Sequence, residues 1–527
     1  MADDTDCDDA DDATWPGAPE VWYDGVDQAC DGGSDYDADA DGYDGSDWGG
    51  DDCLDTEAAV NPAAAEVCND RVDNDCDGAA PGCAPEGTAS LADGWARLLG
   101  EADYDFLGVS VGTAGDVDGS GRSALLVAAY HASDDRGAVY LITKGRAGSA
   151  TAVSIADTIY HGEESADDFG YDVDAAGDVD ADGYLDIFVS AKSDDTAGGS
   201  NGAAYLLSTD VSGEYNAGFA TAKILGETPD DMFAMALAGA GDLDGDGYDD
   251  LIAGTMRGGG MFSGVACVFL GPVSGTVYAE DADSVLDETD DFDGLGTAMD
   301  GGVDLDGDGL ADFVVSARMG DDVSEDGGAV YVYTHVPLRP GDTSSADAVV
   351  GGEFVESMFG ASVSIAGDIN GDGTHDLLVG DQCLDTSVYA GGAIHVFLGP
   401  ITGTRAASGA DAVIYGTRAS EQLGDAVDTD DFDQDGFDDV LAVGMDGSGR
   451  VGGRAMLAYG PVLGTLTIDD AELVLEPEMP SSTLWSDAAA VGDFDGDTYP
   501  DFLVGSPYVS DSDYYQGAAY LWLGGGF

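Results

Sequence analysis

The sequence predicts an all-β fold: a seven-bladed β-propeller of four-stranded antiparallel blades, with an N-terminal strand closing the last blade and a small disulfide-rich N-terminal region. Three observations carry this. An acidic loop of the form DxDxDGxxD recurs seven times, starting at Asp116, Asp178, Asp242, Asp304, Asp368, Asp431 and Asp493, in steps of 62 to 64 residues, and a fixed period of that kind is the signature of a repeat architecture. Each period holds four short candidate strands, the content of one blade. The last period ends after its third strand, at GAAYLWLGGGF, while GWARLLGEADYDFLG stands as a spare strand ahead of the first loop.

The elements of a repeat follow one order. About eight residues ahead of each loop lies a short apolar and glycine element: FLG at Phe106, FG at Phe169, FA at Phe233, LG at Leu295, FG at Phe359, LG at Leu423 and WS at Trp485. The acidic loop comes next, followed at once by an apolar strand such as LLVAA, IFVSA or FVVSA. A polar, Gly-rich loop leads to an alternating strand such as GAVYLI or GGAIHVF, and a fourth candidate such as ADAVIYG closes the unit.

The loop chemistry points to a hard cation. Carboxylates at positions 1, 3, 5 and 9 and the backbone carbonyl of position 7 can converge on one ion, and Gly at position 6 makes the bend; oxygen-only ligands at this spacing suit calcium. Six loops carry a nearly complete set: Asp178, Asp180, Asp182, Tyr184 and Asp186; Asp242, Asp244, Asp246, Tyr248 and Asp250; Asp304, Asp306, Asp308, Leu310 and Asp312; Asp368, Asn370, Asp372, Thr374 and Asp376; Asp431, Asp433, Asp435, Phe437 and Asp439; Asp493, Asp495, Asp497, Tyr499 and Asp501. Thr498 replaces the position-6 Gly in the last. The first loop departs most, with Ser120 at position 5, Arg122 at 7 and Ala124 at 9, and is expected to be empty or weak. Clustered carboxylates repel by about 1 to 4 kcal/mol per pair at about 4 Å, so the expected role of about six Ca2+ ions is to hold the hairpins together.

With 527 residues and 44% hydrophobic content, the chain can bury a large core. Its net charge of −92 would repel phosphate backbones and anionic lipid, which argues against nucleic acid and direct membrane insertion. No stretch approaches the roughly 20 apolar residues of a membrane span, and the first residues, MADDTDCDDADD, carry no signal-peptide pattern. Loops of this type, with dissociation constants on the order of 0.1 to 1 mM, would stand empty at cytosolic calcium. An extracellular or cell-surface location is therefore expected, with a signal segment lost from this chain. A salt-adapted habitat also favours acidic chains, but it does not explain Asp at loop spacing.

Over roughly residues 95 to 527, the FG element, acidic loop, VSA-like strand and GxVYVF-like strand recur in one order, and together they resemble the FG-GAP repeats of the integrin alpha-chain N-terminal propeller. The resemblance implies seven blades with calcium between the first and second strands. It also implies an adhesion or recognition role with a protein or matrix ligand.

Residues 1–83 form a second repeat system and 84–94 read as a linker to the propeller at 95–527. A shift of 46 residues aligns Cys7 with Cys53, Pro16 with Pro62, Glu20 with Glu66 and Cys30 with Cys76. Cys68 and Cys83 fall on Trp22 and Asp37, so both members of a pair are missing from the first copy. The simplest pairing is Cys7 with Cys30, Cys53 with Cys76 and Cys68 with Cys83, which the sequence alone does not fix. Six cysteines in small acidic units suit an oxidising compartment, and with no CxxC and no nearby His, zinc fits less well. PGAPEVWYDGVDQACDG and NPAAAEVCNDRVDNDCDG resemble the bacterial metal-binding motif of the MopE type. That family is named for copper, yet residues 1–83 hold no His, so metal binding alone is carried over, with calcium the expected ion. Candidate ligands are Asp37, Asp39 and Asp41 before Gly42, and Asp73, Asp75 and Asp77 before Gly78; a solvated acidic run held by disulfides is the plainer alternative.

The chain is not expected to be an enzyme. Its histidines, His131, His161, His335, His375 and His395, scatter over different blades, and no nucleophile elbow, HExxH or phosphate-cradling loop appears. Cys267 reads as a core residue and Cys383 as a free thiol. On the face opposite the acidic hairpins, the loops between second and third strands present Tyr130, Arg257, Phe262, Tyr389, Arg450, Tyr508, Tyr514 and Tyr515, an aromatic and Arg mix typical of contact surfaces. An extracellular protein or carbohydrate is the expected ligand; a lectin-like propeller and, less well supported, a polysaccharide-degrading propeller are the alternatives.

Overall fold

The computed structural model of the chain describes residues 14–64, 74, 76, 85 and 87–525, apart from 256–262, 288–291, 338–340, 386–387, 446–452, 479–486 and 511–513. The chain separates into a smaller N-terminal unit and a larger unit spanning Pro85–Gly524. The larger unit is a ring of seven sheets. In blade 2, Phe169–Gly177, Asp186–Ala191, Ala203–Ser208 and Ala222–Leu225 pair antiparallel in sequence order.

The second strand of each blade is buried along its whole length, as in Asp186–Ala191 and Asp312–Ala317. Blades stack face to face, so both sides of these strands are covered, and their sequences read as apolar runs without alternation. The cores lie between blades: Leu98, Leu125 and Leu503, for example, come from blades 7 and 1 and pack in one cluster.

The ring closes as the spare N-terminal strand requires. Ala96–Leu99 pairs antiparallel with Ala518–Leu521 and serves as the fourth strand of blade 7. The structure adds a fifth strand to every sheet, which the sequence reading lacked. In blade 1 it is Gly213–Asn216, reaching back from blade 2 to lie parallel to Thr158–His161. For blade 6 it is Gly87–Ser90, parallel to Leu473–Glu476, within the stretch that composition presents as a linker. Residues 87–99 therefore contribute one strand to blade 6 and the next to blade 7.

The FG elements are packing devices. Leu107, Phe169, Phe233, Leu295, Phe359 and Leu423 are fully buried. The glycine after Leu107, Gly108, has φ +82°, and a Cβ there would stand 2.3 Å from the Ala518 carbonyl oxygen. Only glycine meets both demands without strain. In blade 3 the equivalent Ala234 takes φ +60°. Trp485 lies outside the described residues.

Among its described residues the N-terminal unit consists of turns, a 3-10 turn at Ser46–Trp48 and a bridge between Gly45 and Asp52. Tyr23 stacks on Trp48 with centroids 5.5 Å apart. The Cys53–Cys76 disulfide expected from the repeat is present. Cys30 is also disulfide-bonded, but Cys7, Cys68 and Cys83, and so the other two expected pairs, fall outside the described residues. Among the described residues no helix is long and apolar enough to cross a membrane.

Candidate metal centres

Each acidic loop joins the first strand of a blade to the second, so the loops share one end of the ring. Position 1 builds the loop by accepting amides from positions 5 and 6. In blade 2 Asp182 N donates to Asp178 Oδ1 at 3.0 Å and Gly183 N to Asp178 Oδ2 at 3.0 Å. Blades 3 and 4 repeat the pair at Asp242 and Asp304. The amides of Tyr184, Tyr248, Leu310, Thr374, Phe437 and Tyr499 at position 7 donate to the position-5 carboxylate at 2.9 to 3.0 Å. Wrapped this way, Asp178, Asp180 and Asp182 bring ligand-capable oxygens within 4.8 Å of one another, as do Asp242, Asp244 and Asp246.

Position 9 forms the floor. Asp186, Asp250, Asp312, Asp376, Asp439 and Asp501 are all buried. One oxygen of each accepts the position-2 amide, for example Leu243 N to Asp250 at 2.8 Å and Phe494 N to Asp501 at 2.9 Å. In four blades the other oxygen takes the amide of a glycine beyond the third strand: Gly271, Gly399, Gly460 and Gly524. Burial, with the neighbouring carboxylates adding to it, pushes these acids up to about 7 at Asp186 and Asp250 and about 8 at Asp439 and Asp501. Asp312 Oδ1 and Asp431 Oδ1 are buried with no hydrogen-bond partner. An oxygen-only donor set with stranded buried carboxylate oxygens fits a hard divalent cation such as calcium, which would neutralise the repulsion and occupy those oxygens.

The loops also tie blades together. Asp249 N, Ala311 N, Asp438 N and Ser123 N donate to the position-1 carbonyls of Asp178, Asp242, Asp368 and Asp493 in the preceding blade, the last at 2.8 Å. Blade 1 keeps the loop shape, with Ser120 N and Gly121 N donating to Asp116. Its carboxylates at positions 5 and 9 are gone, and the Arg122 guanidinium lies over Gly496 of blade 7. Blade 7 bends at Thr498 with φ +84°, the left-handed value glycine supplies elsewhere.

In the N-terminal unit, Asp37, Asp39 and Asp41 also come within 4.8 Å of one another. Asp73, Asp75 and Asp77 lie outside the described residues.

A second set of carboxylates went unnoticed in the sequence. Asp172, Asp174, Asp300 and Asp428 sit on the innermost strands and Asp487 immediately precedes one, and each accepts an amide of the next blade: Leu237 N donates to Asp172, Gly239 N to Asp174, Ile365 N to Asp300, Ala490 N to Asp428 and Val111 N to Asp487, at 2.7 to 3.0 Å. Asp172 and Asp487 line the axial channel, a cavity of about 350 Å³ reached by residues of all seven blades. Burial deep at the axis, opposed by these amides, leaves Asp172, Asp174, Asp300 and Asp428 pushed up to about 7. Each retains some contact with solvent, which tempers the cost of charging it. Their only sequence signal was an Asp three to six residues ahead of the loop Asp, as in YDVDAAGDVD, and strand alternation does not say which side faces the axis.

At the opposite end of the ring, aromatic side chains from blades 7, 1 and 2 form one cluster. Phe106 stacks on Tyr130 at 5.2 Å and on Tyr515 at 5.9 Å, and Tyr104 stacks on Tyr514 at 6.4 Å. Lys192 Nζ stands 3.2 Å from the Tyr171 ring centroid. Tyr104, Tyr514 and Tyr515 are exposed, as is the separate Tyr389, while Phe106, Tyr130 and Tyr508 line the channel mouth. Arg257, Phe262 and Arg450 lie outside the described residues. Cys267 is buried; Cys383 is a half-buried free thiol, its pKa raised by burial, which disfavours the thiolate.

Comparison with known proteins agrees with this architecture. The FG-GAP repeat family model matches residues 233–278, 295–333 and 486–522, and the copper-binding MopE family model, described as "Putative metal-binding motif", matches 6–36 and 52–80. The chain is 31% identical to human integrin alpha-IIb over 161 residues, 29% of this chain and 15% of the relative. It is 29% identical to integrin alpha-5 of Xenopus laevis over 220 residues, 40% and 20% of the two chains. It is also 41% identical to human phosphatidylinositol-glycan-specific phospholipase D over 113 residues, 20% and 13%. These matches span no more than a fifth of the length of those relatives. The chain thus carries FG-GAP repeats in an integrin-alpha-like propeller, preceded by two MopE-type metal-binding motifs.

Proposed function

We propose that this chain is an extracellular, calcium-loaded recognition or adhesion module: Ca2+ in six loops, from Asp178, Asp242, Asp304, Asp368, Asp431 and Asp493 onward, holds the hairpins and the contacts between blades. The ligand, an extracellular protein or carbohydrate, docks on the opposite face. The observation that carries the metal reading is the buried, unpartnered oxygen on Asp312 and on Asp431, each beside further carboxylates of its own loop. The Cys53–Cys76 disulfide supports an oxidising compartment. The aromatic cluster gives the ligand face its chemistry, because rigid aromatic rings supply contact area at low entropic cost. The stacked, exposed Tyr104 and Tyr514 favour a carbohydrate as the second reading of that ligand.

Chemistry of the chain's own is not part of the proposal, despite the phospholipase relative. Ser133 Oγ and His161 Nδ1 are 2.9 Å apart, but among the described residues no carboxylate ion-pairs with His161 to orient it as a base, and burial lowers its pKa. Calcium titration of chelator-stripped protein, paired with thermal melts, tests the metal reading: about six ions and a large rise in Tm support it, and no binding with an unchanged melt removes it. A protein and polysaccharide array with Tyr104→Ala and Tyr514→Ala variants tests the ligand face, and a polysaccharide degradation screen tests the absence of chemistry.

A further inference from the structure

The N-terminal unit contains a cage of carboxylates drawn from two segments. Asp52 is 1% exposed. Its Oδ1 accepts the Leu54 amide at 2.8 Å, and its Oδ2 is buried with no partner. Asp39 Oδ2 and Asp41 Oδ2 are stranded in the same way. The oxygens of Asp39, Asp52 and Asp55 lie within 4.8 Å of one another, as do those of Asp37, Asp39 and Asp41, so Asp39 belongs to both groups. Backbone bonds fix the two segments against each other: Asp52 N donates to Asp44 O at 3.1 Å, Ser46 N to Asp52 O at 2.6 Å, and Ala38 N to Asp55 Oδ1 at 2.9 Å. A carboxylate as buried as Asp52 is costly to leave charged and unpaired, and unpartnered buried oxygens on Asp39, Asp41 and Asp52, in two groups that share Asp39, call for a cation.

We propose that Asp37, Asp39, Asp41, Asp52 and Asp55 bind one hard divalent cation, and that this ion and the Cys53–Cys76 disulfide secure the same loop. It rests on the hard-cation chemistry of the propeller reading, but on different residues in a different unit. Asp37, Asp39 and Asp41 fall between the two stretches matched by the metal-binding motif, so the site joins the motif copies and belongs to neither alone. Asp52 and Asp55 flank Cys53, and the Cys53 amide donates to Cys76 Sγ at 2.9 Å. Cys53 itself is exposed, so what the ion protects is the backbone of the loop: opening it pulls two ligands from the ion. All five side chains offer oxygen, and imidazole is absent from this region, which suits calcium and not copper.

The test is hydrogen–deuterium exchange of residues 36–56 in the full chain, read by mass spectrometry with and without calcium. At free calcium about ten times the dissociation constant, the open form is suppressed about tenfold, and exchange of the hydrogen-bonded Ala38, Asp52 and Leu54 amides slows to match. Asp39→Asn and Asp52→Asn, changed one at a time, abolish the protection and remove one bound calcium, whereas Asp51→Asn, an exposed neighbour, retains both. Near-ultraviolet circular dichroism of the Tyr23–Trp48 stack shows that each variant unit is folded. The propeller melt in the same samples keeps its calcium dependence, which separates this site from the blade loops. A wild-type exchange rate indifferent to calcium overturns the proposal without recourse to any variant. So does unchanged stoichiometry in Asp39→Asn and Asp52→Asn, or displacement of this calcium by an equal concentration of copper(II).

Discussion

Asp487, immediately ahead of the innermost strand of blade 7, accepts the backbone amide of Val111 in blade 1 at 3.0 Å, across 376 residues of chain. The last blade thus holds the first at the axis as well as through the shared sheet at its rim. Asp487→Ala leaves the Val111 amide, on a residue 4% exposed, without its acceptor. A buried donor left unmade costs about 1–3 kcal/mol, and relief of repulsion with Asp172 offsets part of it. The expected net loss, read from urea unfolding at saturating calcium, is about 1–2 kcal/mol; an unchanged midpoint would show that the rim strands alone close the ring.

The axial carboxylates give stability a pH dependence of defined sign. Burial holds the Asp300 carboxyl at about 7, whereas an unfolded aspartate titrates at about 3.9. Between those values the folded chain binds the extra proton, so the contribution of this group is complete below about pH 4 and is lost as pH rises to about 7. The wild-type urea midpoint should therefore fall relative to that of Asp300→Asn between about pH 4 and 7, then run parallel above it. Water in the channel reduces the size of the effect, not its direction. A difference constant across the range would mean that Asp300 is charged throughout.

What the sequence made legible was what repeats. Seven acidic loops at a near-constant pitch fixed the blade count, and the spare strand at Ala96–Leu99 fixed how the ring closes. The fifth strands were hidden because each is four residues or fewer, exposed at the rim, and paired to a strand of the preceding blade, as Gly213–Asn216 is to Thr158–His161; nothing local marks such a partner. The axial Asp residues were hidden for a related reason. Their meaning lies in an amide one blade away, and in a chain with 107 acidic residues one more Asp carries no signal.

A buried ion pair sets a third expectation. Arg454 Nε meets Glu421 Oε1 at 2.5 Å with both side chains nearly inaccessible, and its other nitrogens reach Asp469 and Thr417. Arg454→Ala strands Glu421 as an unpaired buried charge, which costs about 3–5 kcal/mol. Arg454→Met with Glu421→Gln removes the charge as well as the pair, and should recover a large part of that loss. Equal destabilisation in the single and double variants would show that packing, not charge, is what Arg454 supplies.

Thr498 is the residue whose replacement should improve the molecule. It holds the position-6 bend of blade 7 at φ +84°, and its amide donates to Asp493 Oδ2 at 2.8 Å. In other blades glycine makes the same bond, as Gly183 does with φ +91°. A β-branched residue in the left-handed region is strained by about 1–2 kcal/mol or more, while glycine raises the entropy lost on folding by about 0.5–1 kcal/mol. The strain is the larger of the two, so Thr498→Gly should stabilise the calcium-saturated protein by about 0.5–1 kcal/mol. Gln434 Nε2 donates to the carbonyl and the hydroxyl of Thr498, at 2.6 and 3.4 Å; the carbonyl bond survives the change and only the longer one is lost. A variant no more stable than wild type, in paired urea titrations with and without calcium, would show that the Thr498 hydroxyl offsets the strain of its backbone.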